Sequence, residues 1–245
     1  MPLHVERRDR VAVLTLDDAE RRNALTMPLV EEIVTAIDEL EADAAIGALV
    51  ITGAAPAFCS GADTSALGRF ADTTDAEERG SIVTVYDGFL RVLRSSLPTV
   101  AAVNGAAVGA GFNLALACDI RLAGTSARFD TKFLRIGLHP GGGHLWLLER
   151  AVGPQSAAAL ALFGQALDGA QAAARGLAWR CHPDDELLDA AVALAARAAE
   201  VPEALVARAK ATLRQTAWQP DFDSAVATEV AHQTWSLTQG WFGRR

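Results

Sequence analysis

The chain has only three cysteines, Cys59, Cys118 and Cys181, widely spaced and set among apolar or small residues. That excludes a disulfide framework and any Cys-x-x-Cys pair. The three read as free thiols of a reducing compartment, and the expected location is cytoplasmic. No His-Glu-x-x-His occurs, so no metal site is suggested. Positive charge is in deficit: Lys plus Arg number 22 against 30 for Asp plus Glu, a formal net charge of −8. An acidic surface argues against nucleic acid and anionic membrane as partners, although a phosphorylated ligand would need only a local basic patch. No apolar run reaches membrane-spanning length without an Asn or Gly, so no membrane span is expected. No basic stretch leads into an apolar one at the start, so no signal peptide is expected. The common nucleotide and hydrolase loops are missing too. Gly109-Ala110-Gly111 lacks a third glycine, with Leu114 in its place, and neither G-x-x-x-x-G-K-[ST] nor G-x-S-x-G occurs.

What is present is apolar: 51% of 245 residues, enough for a sizeable core. His4–Asp9 and Val11–Leu16 read as a strand pair, the second with alternating faces. Thr26 can cap a helix that has Pro28 in its first turn and Leu29, Ile33, Ile37 and Leu40 at helical spacing. Residues 48–52 (ALVIT) form a continuous apolar strand ending at Gly53, as expected for burial on both faces. Residues 58–63 make a small-residue exit loop, residues 69–80 a mobile loop or frayed helix, and residues 82–97 a helix. Further strands are expected at 119–123, 127–129 and 177–180. Helices are expected from His144, at 157–162 and at 169–175. Beyond Asp184 three helices follow without a strand: 187–200, 203–216 and 222–237. Their apolar residues, among them Leu205, Leu213, Trp218, Val226, Val230 and Trp235, suit packing on a partner subunit or on the chain's own core.

The stretch Pro98–Asn113 (PTVAAVNGAAVGAGFN) organises the rest. It starts as a strand, turns at Asn104-Gly105, and passes through Gly109-Ala110-Gly111 into an apolar helix over residues 114–118. A strand running through small residues into a helix start leaves N–H groups unpaired, and glycine admits a ligand close to them. Such groups suit an anion or a developing oxyanion. Close packing of helix on strand accounts for the same glycines equally well.

Phe58-Cys-Ser-Gly-Ala-Asp63, Pro98–Gly105, Gly109-Ala-Gly111, Cys118-Asp-Ile120 and Pro140-Gly-Gly-Gly143, taken in order, resemble the crotonase superfamily, the enoyl-CoA hydratase/isomerase family. Residues 20–25 (ERRNAL) and 150–153 (RAVG) fit its flanking segments, so that the likeness covers about residues 3–215. The resemblance implies an α/β fold, a crotonase-like spiral of β-β-α units with a C-terminal helical region. It would divide the chain into an acyl-CoA-binding core, residues 1–185, and a helical region, 186–245, used for trimerisation. It implies a homotrimer or a hexamer made as a dimer of trimers. It also implies an acyl-CoA thioester as substrate, with coenzyme A as part of that substrate and no permanently bound cofactor. The oxyanion hole would be the N–H groups of Ala62 and Ala110. Arg21 and Arg22 would meet the CoA phosphates, unless they are a solvated charge pair in a turn. Ala24, Asp63, Thr64 and Ser65 would flank the rest of the CoA.

The resemblance breaks at the acid–base residues. A hydratase of this family holds and activates water with two glutamates. Their matching positions here are Asn113 and Phe133. Asn113 can hold a water or a carbonyl, but neither can act as a base. A general acid–base group typically contributes about 10²- to 10⁴-fold, so a double loss should abolish ordinary hydration. His139 falls where some relatives carry a catalytic aspartate and is the candidate base. His139 and His144 are otherwise loop residues satisfying backbone groups, Asp130 a salt-bridged strand residue, and Glu149 a helix residue away from the site. Three functions stay open: an enzyme of altered chemistry on acyl-CoA, a non-catalytic acyl-CoA binder, and an ordinary enoyl-CoA hydratase.

Overall fold

The computed structural model describes residues 2–63, 76–217, 219 and 221–241. Two sheets carry the chain. Strands β1 (Leu3–Arg8) and β2 (Val11–Leu16) form an antiparallel hairpin, and β2 then pairs in parallel with β3 (Ala48–Gly53). Strands β5 (Thr99–Val103), β7 (Ile120–Gly124) and β10 (Arg180–His182) extend this sheet in parallel, giving the order β1-β2-β3-β5-β7-β10. The second sheet has the order β4-β6-β8-β9, from β4 (Ala57–Cys59), β6 (Ala106–Val108), β8 (Arg128–Asp130) and β9 (Ala166–Asp168). Each pass of the chain thus adds one strand to each sheet: β3 then β4, β5 then β6, β7 then β8.

Eight helices follow from the described residues: α1 (Met27–Ala42), α2 (Ala76–Arg94), α3 (Ala110–Ala117), α4 (His144–Ala161), α5 (Gly169–Ala174), α6 (Leu187–Ala199), α7 (Glu203–Thr216) and α8 (Phe222–Thr238). Thr26 caps α1, its side chain accepting from Leu29 N–H, and Pro28 sits in the first turn. Leu29, Ile33, Ile37 and Leu40 are buried, as their spacing requires. Helix α4 breaks at Gly153, whose φ of 75° lies outside the helical region just before Pro154.

The alternation of β2 divides the core in two. Ala12, Leu14 and Leu16 join Ile51, Phe58, Phe89, Phe112 and Phe129 on one face of the first sheet. Val11 and Val13 join Val50, Val100 and Leu122 on the other, where α6 covers them with Leu187, Ala191, Ala195 and Ala199. The last two helices differ. Lys210 is their only buried side chain among the described residues, and Leu213, Phe222, Val230 and Leu237 are exposed. Lys210 pairs with Asp119 at 2.6 Å, which tethers α7 to the start of β7.

Several expectations need correction. The strand read at 177–180 is Arg180–His182; Leu177 and Ala178 instead close α5, donating to Ala172 O. Strands β6 (AAV) and β9 (ALD) have no counterpart among the expected strands, because segments of three residues take their strand character from neighbours. Helix α3 begins at Ala110 rather than Leu114, and α2 begins at Ala76 rather than Ile82. Of the mobile loop or frayed helix expected at 69–80, residues 69–75 lie outside the described residues and 76–80 are helical. Trp218 also lies outside them.

Candidate active site

Strands β4 and β6 lie side by side in parallel, with Cys59 opposite Ala107. Their C-terminal ends therefore open at the same edge, one into Ser60–Asp63 and the other into Gly109 and α3. Gly111 makes this approach possible: a Cβ there would stand 2.0 Å from Cys59 O. Gly61, at φ 108°, brings the two exits together, since a Cβ on it would stand 2.8 Å from Val108 O and 3.6 Å from Ala110 N.

Both exits leave N–H groups unpaired. Ala110 is the first residue of α3, and the first hydrogen bond of that helix runs from Asn113 N–H to Gly109 O at 3.0 Å. Ala62 lies in a parallel bridge to Leu25, formed by Leu25 N–H to Gly61 O at 2.8 Å and Asp63 N–H to Leu25 O at 3.4 Å. The bridge uses the groups on either side of Ala62, so Ala62 turns its own N–H the other way. Among the described residues neither N–H has an acceptor. Such donors can hold a carbonyl oxygen or an anion.

Ala62 and Ala110 line one cavity of about 140 Å³. Val85, Tyr86, Val108, Phe133, Ile136 and Leu138 make its apolar wall. Ser60, Thr131, Lys132 and His139 supply its other polar side chains, and no Asp or Glu lines it among the described residues. Sequence reasoning missed most of this wall; Ile136 and Leu138, apolar residues beside a glycine-rich loop, were the available signal.

Asn23 and Asn104 hold the exits in place. Asn23 is fully buried; its amide donates to Ala54 O at 2.8 Å and Ala57 O at 2.7 Å, and accepts from Asp18 N–H at 2.9 Å. Asn104 accepts from Gly53 N–H and donates to Gly53 O at 2.6 Å. Arg21 and Arg22 flank Ser60, which donates to their backbone oxygens. Their side chains are exposed, and the Arg21 guanidinium pairs with Asp18 at 3.1 Å. Ala24 is buried next to the bridge, and Asp63 is half-buried at the end of the exit loop. Thr64 and Ser65 lie outside the described residues.

Asn113 does not line the cavity. It is fully buried, donating through Nδ2 to Gly141 O at 3.0 Å. Its Oδ1 therefore faces His144 Nδ1, 2.5 Å away. This amide oxygen can only accept, so His144 carries its proton on Nδ1 and keeps a lone pair on Nε2. Phe112 and Phe133 meet the His144 ring edge-on at 5.4 and 5.0 Å. Burial pushes the imidazole down to about 4, so it is neutral at pH 7. His144 opens α4, as expected, but it is buried and bonded to a side chain rather than satisfying backbone groups of a loop. His139 does satisfy backbone: exposed, its Nδ1 lies 2.8 Å from Pro140 O. The Asp130 carboxylate is paired with Arg135, and Glu149 is exposed on α4. Burial pushes the thiols of Cys59 and Cys118 up to about 12, so neither is a nucleophile.

A two-sheet α/β fold whose adjacent parallel strands end at one cavity is shared with known enzymes. The family model described as Enoyl-CoA hydratase/isomerase matches residues 6–236. The chain is 50% identical over 207 residues to a probable enoyl-CoA hydratase of Mycobacterium tuberculosis, covering 84% of this chain and 79% of that one. It is 35% identical over 218 residues to the 2,3-dehydroadipyl-CoA hydratase of Escherichia coli, covering 87% and 82%. Among solved structures it resembles a putative enoyl-CoA hydratase of Thermobifida fusca in complex with acetoacetyl-CoA, with a TM-score of 0.86 and 32% identity over 97% and 95% of the chains. A putative enoyl-CoA hydratase of Streptomyces coelicolor gives 0.89 and 32% over 98% and 88%. The chain belongs to the enoyl-CoA hydratase/isomerase family, the crotonase superfamily.

Proposed function

We propose that this protein binds an acyl-CoA thioester in the cavity beside Ala62 and Ala110, polarises its carbonyl with their two N–H groups, and does not hydrate it by a two-glutamate route. The observation that carries this reading is the pair of unpaired N–H groups at one apolar cavity that no described carboxylate lines. A thioester carbonyl drawn between two fixed donors gains most as negative charge develops on its oxygen. One such donor is typically worth about 3–4 kcal/mol in the transition state. The apolar wall suits an acyl chain. Arg21 and Arg22, next to Ser60, stand where CoA phosphates would meet positive charge, and Ala24, Asp63, Thr64 and Ser65 would flank the remainder of the CoA. His139, the candidate base of the sequence, lines the mouth but is exposed, with Nδ1 turned to Pro140 O.

An ordinary enoyl-CoA hydratase is the reading favoured by the names of the relatives. Asn113 and Phe133 at the glutamate positions weigh against it, and a non-catalytic carrier of acyl-CoA uses the same cavity without any base. The exposed apolar residues of α7 and α8 support assembly as a homotrimer or a hexamer through the C-terminal region, 186–245, around a core formed by 1–185. The three free thiols support a cytoplasmic location.

Mass spectrometry of the protein incubated with saturated and 2-enoyl-CoAs of several chain lengths tests the reading. Retained acyl-CoA without a gain of water is expected. A gain of one water on an enoyl-CoA would overturn the assignment of Asn113 and Phe133, and no retention at all would overturn the ligand class.

A further inference from the structure

His144 is a buried titratable side chain that the reading above leaves without a role, and it touches both positions where the family's glutamates fall. Its Nδ1–H is held by Asn113, and its ring packs on Phe133. Its Nε2 is buried and has no hydrogen-bond partner among the described residues. A polar atom sealed in an apolar shell without a partner is costly, and native interiors hold few. Here the atom left bare is the basic one. Asn113, an amide, cannot take a proton; it fixes the tautomer that leaves Nε2 unprotonated.

One ring lies between this imidazole and the cavity. Phe133 lines the cavity, and its tip lies 3.7 Å from where a Cβ on Gly109 would be, beside the Ala110 N–H. The same ring meets His144 at 5.0 Å. Phe133 is the only buried residue of its short 3-10 turn, Phe133–Ile136, and both flanking residues, Lys132 and Gly137, have left-handed backbones. The Arg135–Asp130 pair and the bond from Leu138 N–H to Phe133 O hold the rest of the turn, so a movement of the Phe133 ring alone would open a path from the cavity to His144.

Resting on the acyl-CoA reading, we propose that His144 Nε2 is the proton-transfer group of this site, with Asn113 as its positioning residue and Phe133 as the ring that covers it until an acyl thioester enters. The reaction is proton transfer at the α-carbon, not addition of water. With the thioester oxygen held by the N–H groups of Ala62 and Ala110, the α C–H bond breaks. Its electron pair forms the enolate C=C, the carbonyl π pair moves onto oxygen, and the proton goes to Nε2. The imidazolium then returns that proton, or one it has exchanged with solvent, to carbon, so no co-reactant beyond water is involved. Burial disfavours an isolated imidazolium, whereas the enolate formed beside it compensates that charge.

The test is deuterium exchange of butyryl-CoA in D₂O, read at the α-carbon by mass spectrometry, with butyryl-CoA binding measured calorimetrically on the same preparations. Wild type should exchange. His144→Gln keeps an N–H for Asn113 and should bind within about threefold, yet exchange at least about 100-fold more slowly, the range of a lost general base. Exchange at the wild-type rate in this variant would overturn the proposal, and so would a wild type that binds butyryl-CoA without exchanging it. Failure to bind would instead overturn the acyl-CoA reading on which the proposal stands. Should the variant not fold, ¹⁵N-histidine spectra of wild type decide: the Nε2 resonance of His144 must shift when butyryl-CoA is added, and an unmoved resonance sinks the idea.

Discussion

Where β4 and β6 end, the site consists of backbone N–H groups set between small residues. Behind Phe133 it consists of three side chains, Asn113, Phe133 and His144, that seal one another. The first half depends on what is missing, since a side chain at Gly61 or Gly111 would push the two exits apart. The second depends on what has been put in. Side chains there can change the chemistry without moving a strand, because they hang on elements that the sheets and α3 already fix. On the proposed function, one fold would thus keep its carbonyl-binding donors and exchange its acid–base groups.

The largest effect should come from breaking the backbone half. In Gly111→Ala the new Cβ would stand 2.0 Å from Cys59 O, a backbone atom that cannot rotate away. Either β4 or α3 must shift. We expect a loss of about 3 kcal/mol, the upper end of ordinary overpacking, together with loss of acyl-CoA binding. Denaturant melts and calorimetry would read both. Unchanged stability would mean that the two exits are not packed as closely as described.

The side-chain half should show itself through pH. His144 titrates at about 4 in the folded chain, against 6.5 for an ordinary imidazole. The unfolded state therefore takes up a proton between those values while the folded state does not. Stability is unaffected above pH 6.5 and falls as pH drops from there toward 4. The total is about 3 kcal/mol, from roughly 1.4 kcal/mol per unit. Glu41 acts in a different window. Burial opposes its ionisation, yet hydrogen bonds from Arg91, Ser95 and Ser96 hold it down to about 2, so its contribution is lost only as pH falls from 4.5 toward 2. His144→Gln should flatten the first window and leave the second. Denaturant titrations spanning about pH 7 to about pH 2 separate the two, and equal slopes between pH 6.5 and 4 in wild type and variant would place His144 in contact with solvent.

The two halves were unequally legible in the sequence. Small residues flanking apolar strands disclosed both exits, and the continuous apolar run of residues 48–52 disclosed a sheet with two covered faces. Ala106–Val108 was invisible because three small residues carry no strand signal; pairing with β4 and β8 makes it a strand. Arg180–His182 was misplaced because only its parallel pairing to β7 defines it. His144 was the hardest. Locally it is a polar residue after four glycine-loop positions, and contacts with Phe133 and with Asn113 and Phe112, more than thirty residues earlier, bury it. Leu213 and Val230 showed helical periodicity correctly, but no local pattern says whether a partner covers them.

Asn23 sharpens the comparison from the side of the clamp. Its amide spans Asp18 N–H and the oxygens of Ala54 and Ala57, fastening the segment that carries Leu25 to β4. Leu25 in turn bridges Ala62. Asn23→Ala leaves a buried donor and two acceptors without that partner, at a cost of about 2 kcal/mol. It also frees Ala62 while leaving Ala110 fixed by α3. Acyl-CoA affinity should therefore fall more than stability alone predicts, while the ¹⁵N resonances of His144, held on α4 by Asn113, should stay in place. A variant whose His144 resonances moved as far as its Ala62 amide would show the two halves to be one mechanical unit, and the separation of carbonyl binding from proton transfer would have to be abandoned.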